Sequence, residues 1–312
     1  MNRRSASEYG RVAVLMGGWS GERDISLNSG NAVLAALRRQ GVDAHPVDLT
    51  RAAARHFDLG GFDRVFIALH GECGEDGTLQ GCLDVAGVPY TGTGVLGSAL
   101  GMDKLACKRL WAGSNLPSAP YRLLSPGFAP EAVAEALGLP LIVKPARGGS
   151  SLGITRVDRA ADLPAAFDAA RVQPGQIFAE QWISGREYTV AILGNEPLPV
   201  VEIRTPDGFY DYHAKYQADD TGYICPPPLD QGALLELQSL AIAAFAILEG
   251  CGWGRVDILQ DEHGANYLIE VNTIPGMTDH SLVPKAAAHA GIDFDALCLR
   301  ILDSSFECGG LR

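Results

Sequence analysis

The sequence predicts an α/β chain whose first third is built on a parallel sheet and whose remainder is of α+β character. Three observations carry this. Short apolar runs alternate with stretches of helical spacing, the pattern of strands covered by helices on both faces. The length of 312 residues suits about two domains and leaves room for a third. Hydrophobic residues make up 47% and charged residues 20%, so a large core can be buried.

The elements follow in chain order. Val12 to Met16 is an apolar run that ends in Gly17-Gly18, a buried strand entering a loop. Ile25 to Gln40 has helical spacing at Val33, Leu34 and Leu37, with Gly41 as its stop. Ala44 to Leu49 and Arg64 to Leu69 are the next two strands. A helix is expected over Ser98 to Ala112, then a Pro- and Gly-rich linker over Pro117 to Pro130. Strand Leu141 to Lys144, a glycine-rich loop Arg147 to Gly153, strand Ile154 to Val157, helix Ala161 to Arg171 and strand Ile177 to Trp182 form a small α+β unit. Glu187 to Leu193 and Leu198 to Ile203 are strands around Gly194-Asn195. Thr205 to Leu229 is polar and aperiodic, which marks a functional lid or a misread element. Helix Leu234 to Glu249 and a hairpin of Arg255 to Gln260 with Asn266 to Asn272 complete the series. The domains expected are 1–103, 104–185 and 186–312.

A formal net charge of -12 argues against a general nucleic-acid binder, yet leaves room for a local basic cluster that holds a small anion. The longest strongly apolar stretch, Leu240 to Leu248, is far short of the roughly 20 residues needed to cross a bilayer, so no membrane span is expected. Residues 1–10 read as a short extension rather than a signal peptide. The seven cysteines are odd in number, scattered and free of C-x-x-C spacing, so reduced thiols in the cytoplasm are expected and a zinc site is not.

The hairpin is the most specific chemical signal. Side chains alternate along a strand, so Glu270 and Asn272 share a face. A turn centred on Glu262 and His263 places Asp257 opposite Leu268 on that face, where three oxygen ligands suit Mg²⁺. The alternative is a pair of solvent-facing polar strands. Arg147 to Gly153 is a phosphate cradle, with Ser150 and Ser151 as donors and Lys144 on the strand before it, or else a flexible turn. Gly92-Thr93-Gly94-Val95-Leu96-Gly97 matches G-x-G-x-x-G but lacks an acidic residue about 20 positions on, so it reads as a tight turn into a helix. Glu22 follows the first strand at the edge where open α/β sheets bind ligands. By spacing alone it reads as a helix-capping carboxylate, and His70 as an ordinary loop residue.

Taken together, the motifs resemble a known family. Gly17-Gly18-Trp19-Ser20-Gly21-Glu22-Arg23, Ala68-Leu69-His70-Gly71, Gly74-Glu75-Asp76-Gly77-Thr78 and Met102-Asp103-Lys104 are similar to the N-terminal signatures of D-alanine–D-alanine ligases. Lys144-Pro145, Gly149-Ser150-Ser151, Ala214-Lys215-Tyr216, Trp253-Gly254-Arg255-Val256-Asp257, Glu270-Val271-Asn272-Thr273, Pro275-Gly276-Met277-Thr278 and His280-Ser281-Leu282 continue the resemblance in the family's order. The match runs from about Val12 to Leu302. It implies the ATP-grasp fold with an N-terminal Rossmann-like domain, and ATP-dependent synthesis of D-alanyl–D-alanine for peptidoglycan.

The resemblance also implies roles. Lys104, Lys144 and Ser151 would contact ATP, Lys215 its γ-phosphate, Glu180, Gln181, Trp182 and Ile183 the adenine, and Glu187 the ribose. Asp257, Glu270 and Asn272 would hold two Mg²⁺, or Mn²⁺. Glu22 would bind the ammonium of the first D-alanine, with His70 nearby, and Ser281 and the Leu282 backbone the carboxylate of the second. Arg255 and the Gly276 N–H would stabilise the oxyanion, and Tyr216, Ser150 and Glu22 would close the site. The implied partners are D-alanine and ATP, with no nucleic acid and no membrane, and the implied assembly is a cytoplasmic homodimer. His213, Ile274 and Asp279 depart from the usual motifs without removing a ligand, and Tyr216 favours a dipeptide over an ester product. Three other readings stand beside it. They are a relative with a D-lactate or D-serine acceptor, a nucleotide-dependent oxidoreductase resting on Gly92 to Gly97, and a non-catalytic nucleotide sensor.

Overall fold

The apolar runs and the glycine stops between them sort the chain into three sheets. They are seen in a computed structural model that describes residues 4–55, 59–149, 153–205, 221–278 and 281–308. In the first sheet, β1 (Arg11–Met16) lies between β2 (Asp43–Asp48) and β3 (Arg64–Ile67), and both pairings are parallel. β1 and β3 are buried almost throughout, whereas β2 is an edge strand that exposes Asp43, Pro46 and Asp48 and so tolerates the proline. Helix α1 (Arg23–Arg39) buries Val33, Leu34 and Leu37 in the core of this sheet. A short helix α2 (Arg51–Ala54) and α3 (Thr78–Ala86) follow, neither of them anticipated from the pattern.

The expected helix Ser98 to Ala112 is two helices, α4 (Val95–Gly101) and α5 (Lys104–Gly113). The break lies at Asp103, which takes extended backbone angles and accepts from the Leu105 and Ala106 N–H groups at 3.1 Å each. An N-cap of that kind starts a new helix in a new direction. Asp103→Ala is expected to lower stability by about 1 kcal/mol, seen as a lower urea midpoint. An unchanged midpoint would show that the cap contributes nothing. Gly97 of the G-x-G-x-x-G match sits where a Cβ would come within 2.5 Å of the Leu248 carbonyl, so this glycine serves close packing.

The segment expected as a linker, Pro117 to Pro130, contains β4 (Tyr121–Leu124) and leads into α6 (Pro130–Leu137), with Pro130 at its first turn. With β5 (Leu141–Pro145), β6 (Thr155–Val157) and β7 (Ile177–Gln181), β4 forms an antiparallel sheet in the order β4-β7-β5-β6. Helix α7 (Leu163–Ala170) packs in the core of this sheet with α6.

The third sheet holds β8 (Gly185–Leu193), β9 (Glu196–Pro197), β10 (Val201–Arg204), β11 (Gly222–Ile224), β12 (Trp253–Asp261) and β13 (Asn266–Asn272). Its order is β11-β10-β8-β12-β13, with β9 paired to β8. β11 lies inside the stretch read as aperiodic, and its pairing to β10 is what orders it. Helix α8 (Gln231–Ile247) shares a core with this sheet and with α5. Helices α9 (Leu282–His289) and α10 (Phe294–Asp303) return to the first sheet and share its core.

Two further expectations are corrected. Asp257 pairs with Glu270, not Leu268, because a bulge shifts the register between Asp257 and Ile258. The shared face is kept, since opposed residues of paired strands project to one side. The thiols are also not all reduced. Cys251, before β12, and Cys308, after α10, form a disulfide with Cα atoms 5.9 Å apart, while Cys73, Cys82, Cys107, Cys225 and Cys298 are free. A separation of 57 residues hides that pair from spacing arguments. No described helix is long and apolar enough to cross a membrane.

Candidate active site

The site begins where β1 ends. Gly17 and Gly18 take φ values of +87° and +78°, which only glycine adopts without strain, and the turn delivers Glu22 to the start of α1. Spacing favoured a capping role for Glu22, but its side chain makes no cap hydrogen bond and instead lines a cavity of about 1320 Å³. His70, past the end of β3, enters the same cavity and is buried, not an ordinary loop residue. Its Nδ1 lies 2.9 Å from the Ile274 carbonyl and its Nε2 3.1 Å from Ser29 Oγ, which in turn accepts from the Met277 N–H. The imidazole thereby ties the first sheet to the loop after β13.

Burial opposes charge on His70, but the Glu75 carboxylate at 3.8 Å, aided by Glu22 and the Ile274 carbonyl, raises its pKa. Burial raises the pKa of Glu75, against the pull of His70 and the Gly71 N–H. Glu75 also lines the cavity and was assigned no role from the sequence.

The opposite wall comes from the hairpin. Arg255 faces Asn272, and Asp257 faces Glu270. Asp257 is buried, accepts from Thr189 Oγ1 at 2.6 Å and takes a two-pronged bond from Arg255, at 2.8 Å from Nε and 2.7 Å from Nη2. Glu270 pairs with Lys104 at 3.1 Å, and Lys104 also donates to the Gly148 carbonyl at 3.0 Å. Burial works against the Lys104 charge, and Glu270 more than offsets it, raising the pKa. Asn272 Oδ1 accepts from the Ile274 N–H at 3.2 Å. Two carboxylates and an amide oxygen, each already attracting donors or cations, form a donor set that fits a hard divalent cation. Among the described residues no three His, Cys, Asp or Glu side chains cluster as a metal site, so the fit rests on Asn272 completing the set.

Gly276, Ser281 and Leu282 close the cavity at the start of α9. Ser281 Oγ accepts from the Thr278 N–H at 3.0 Å, and a Cβ on Gly276 would stand 2.8 Å from that oxygen, so the backbone there approaches as only glycine allows.

The other predicted residues lie elsewhere. Lys144 and Glu180 are buried and ion-paired beneath the second sheet, and Lys108, which the sequence reading did not single out, holds the second Glu180 oxygen at 2.7 Å. Gln181, Trp182, Ile183 and Glu187 occupy the passage from β7 to β8, which joins the second sheet to the third. Gln181 is exposed, and Trp182 Nε1 donates to Ser184 Oγ at 3.1 Å. Ser150, Ser151, His213, Lys215, Tyr216 and Asp279 fall outside the described residues.

Residues 110–303 match the family model of the D-ala D-ala ligase C-terminus, and residues 51–93 that of the D-ala D-ala ligase N-terminus. A D-alanine–D-alanine ligase of Alkalilimnicola ehrlichii is 54% identical over 302 residues, covering 97% of this chain and 96% of the relative. The chain belongs to the D-alanine–D-alanine ligase family. Another member, from Halorhodospira halophila, is 57% identical over 298 residues, 96% of this chain and 97% of its own. The ligase structure from Bacillus anthracis superposes with a TM-score of 0.86 at 32% identity, over 96% of this chain and 98% of that one. A structure of the Bacillus anthracis ligase complexed with ATP gives a TM-score of 0.82 at 29% identity with the same coverage. Glu22, from the first sheet's side, and Arg255, from the hairpin, both line the one cavity.

Proposed function

We propose that this protein joins two D-alanines into D-alanyl–D-alanine with ATP as phosphoryl donor, supplying a peptidoglycan precursor. The observation that carries the reading is the convergence of Glu22, Arg255, Glu270, Asn272, Gly276 and Ser281 on one cavity. At about 1320 Å³ it exceeds the ~300–1,000 Å³ of ordinary ligand pockets, so both amino acids and the transferring phosphate fit.

The ammonium of the first D-alanine pairs with Glu22, leaving its carboxylate toward the hairpin. That carboxylate attacks the γ-phosphate of ATP, giving an acyl phosphate and ADP. Lys104, already among carboxylates, offsets the phosphate charge, and Lys144 and Lys215 are assigned to the same task. Asp257, Glu270 and Asn272 would hold Mg²⁺, which neutralises phosphate charge in such transfers. The second D-alanine sits with its carboxylate on Ser281 and the Leu282 N–H, and its amine attacks the acyl carbonyl. Arg255 and the Gly276 N–H meet the oxyanion; the tetrahedral intermediate then expels phosphate and leaves the peptide bond. Tyr216 and Ser150 join Glu22 in closing the site, Ser151 contacts ATP, and the nucleotide lies between subdomains 104–185 and 186–312, against residues Glu180 to Ile183 and Glu187. A cytoplasmic location and a homodimer accompany this reading.

The test is ADP release with ATP and Mg²⁺ in the presence of D-alanine, L-alanine, or D-alanine plus D-lactate, with products identified by mass. One D-alanyl–D-alanine per ADP is the expected result. Release that D-alanine fails to stimulate would sink the proposal.

A further inference from the structure

We infer that Lys108 is the standing counter-ion of Glu180 and so frees Lys144 to leave that carboxylate for the phosphates of a bound nucleotide. The inference deepens the ATP-dependent reading above and rests on it.

The cluster holds two ammonium groups and one carboxylate, all buried. Lys108 is 1% exposed; its Nζ lies 2.7 Å from Glu180 Oε2, donates to the Ala119 carbonyl at 3.0 Å and stands 5.5 Å from the Tyr121 ring centroid. It is therefore anchored on two sides. Lys144 takes the other oxygen, Glu180 Oε1, and among the described residues this is the acceptor it has. One carboxylate balances one lysine, so the cluster keeps a surplus positive charge. An unmatched buried charge is costly, and the surplus is relieved when an anion arrives.

The two lysines are not equivalent. Lys108 lies in the middle of α5, four residues after Lys104, so both project from one helix face. Lys104 holds Glu270 and Lys108 holds Glu180, which makes α5 a strut between the two carboxylates. Lys144 is the penultimate residue of β5, close to the glycine-rich loop that opens at Arg147. It stands 5.5 Å from the Phe178 ring centroid, but among the described residues it lacks the backbone carbonyl that anchors Lys108, so it is the less tethered of the two. Burial, with Lys108 and Lys104 nearby, lowers the Lys144 pKa against the pull of Glu180, as expected for a cation with too little negative charge around it. Without Lys108, Glu180 would depend on Lys144 alone. Drawing Lys144 to a phosphate would then strand a buried carboxylate, and nucleotide affinity would fall.

The test uses the full chain and four variants: two single changes at Lys108, Glu180→Gln, and Glu180→Gln combined with Lys108→Gln. Lys108→Gln keeps a donor for the Ala119 carbonyl and removes the charge, and Lys108→Arg keeps the charge. Lys108→Gln is expected to raise the calorimetric Kd and the KM for ATP by at least about tenfold, with the KM for D-alanine within about twofold, and Lys108→Arg to stay within about threefold of wild type. In a Glu180→Gln background Lys108 has nothing to counter, so adding Lys108→Gln is expected to change the ATP Kd by less than about threefold. That comparison also decides the matter if the single Lys108→Gln variant does not fold. A wild-type Kd in Lys108→Gln, or a full loss in the Glu180→Gln background, overturns the inference. Calorimetry needs no D-alanine. Wild-type protein that binds ATP but releases no ADP would therefore defeat the ligase reading and leave this one standing.

Discussion

Replacing Arg255 by alanine is expected to lower kcat by about 10²–10³-fold, the usual effect of removing one oxyanion donor. Arg255 lies on β12, which is bonded to β8 on one side and β13 on the other, so its backbone has little freedom. Its guanidinium is held by both oxygens of Asp257 and reaches the cavity from a fixed position. If Arg255 is the oxyanion donor, charge developing on the carbonyl oxygen is expected to meet a donor that needs no reorganisation. Arg255→Lys keeps the charge but loses the planar two-pronged grip on Asp257, so an intermediate loss is expected. Circular dichroism on both variants separates lost catalysis from lost fold. Near-normal turnover in Arg255→Ala would refute the role.

The second large effect is expected from Glu270→Gln. The substitution keeps shape and removes one negative charge from the donor set of Asp257, Glu270 and Asn272. Lys104, mostly buried, loses its counter-charge at the same time. The Mg²⁺ concentration for half-maximal activity is expected to rise at least about tenfold and kcat to fall by about 100-fold, since even partners behind a metal ligand are worth 10–100-fold. Titrating Mg²⁺ at saturating ATP and D-alanine checks it. An unchanged Mg²⁺ requirement would remove Glu270 from the metal site.

Glu270 could be singled out from the hairpin's residue pattern, whereas Arg255 was singled out only through the family motif Trp253-Gly254-Arg255-Val256-Asp257. The alternation that sets Glu270 and Asn272 on one face is a property of any strand, and the glycines after β1 announce a turn wherever they occur. The face of Asp257 was also legible, but its partner was not. A bulge adds one residue to one strand, and only pairing across the hairpin shows where. Asp103 shows the same limit on a helix: Ser98 to Ala112 reads as one apolar period, and the cap that divides it appears once its carboxylate is seen on Leu105 and Ala106.

By itself, the sequence determined the parallel first sheet, the hairpin and its oxygen donors, and the order of the motifs that mark the family. These depend on local period and residue type. Tertiary structure alone decided that Glu22 faces the cavity rather than capping its helix, that His70 meets Glu75, Ser29 and Ile274, that Cys251 joins Cys308, and that Lys108 stands beside Glu180. Each of these is a contact between segments far apart in the chain or a choice between two local conformations of similar energy. Such contacts are settled by packing and by the need to pair buried polar groups, and neither is written in the spacing of a single segment.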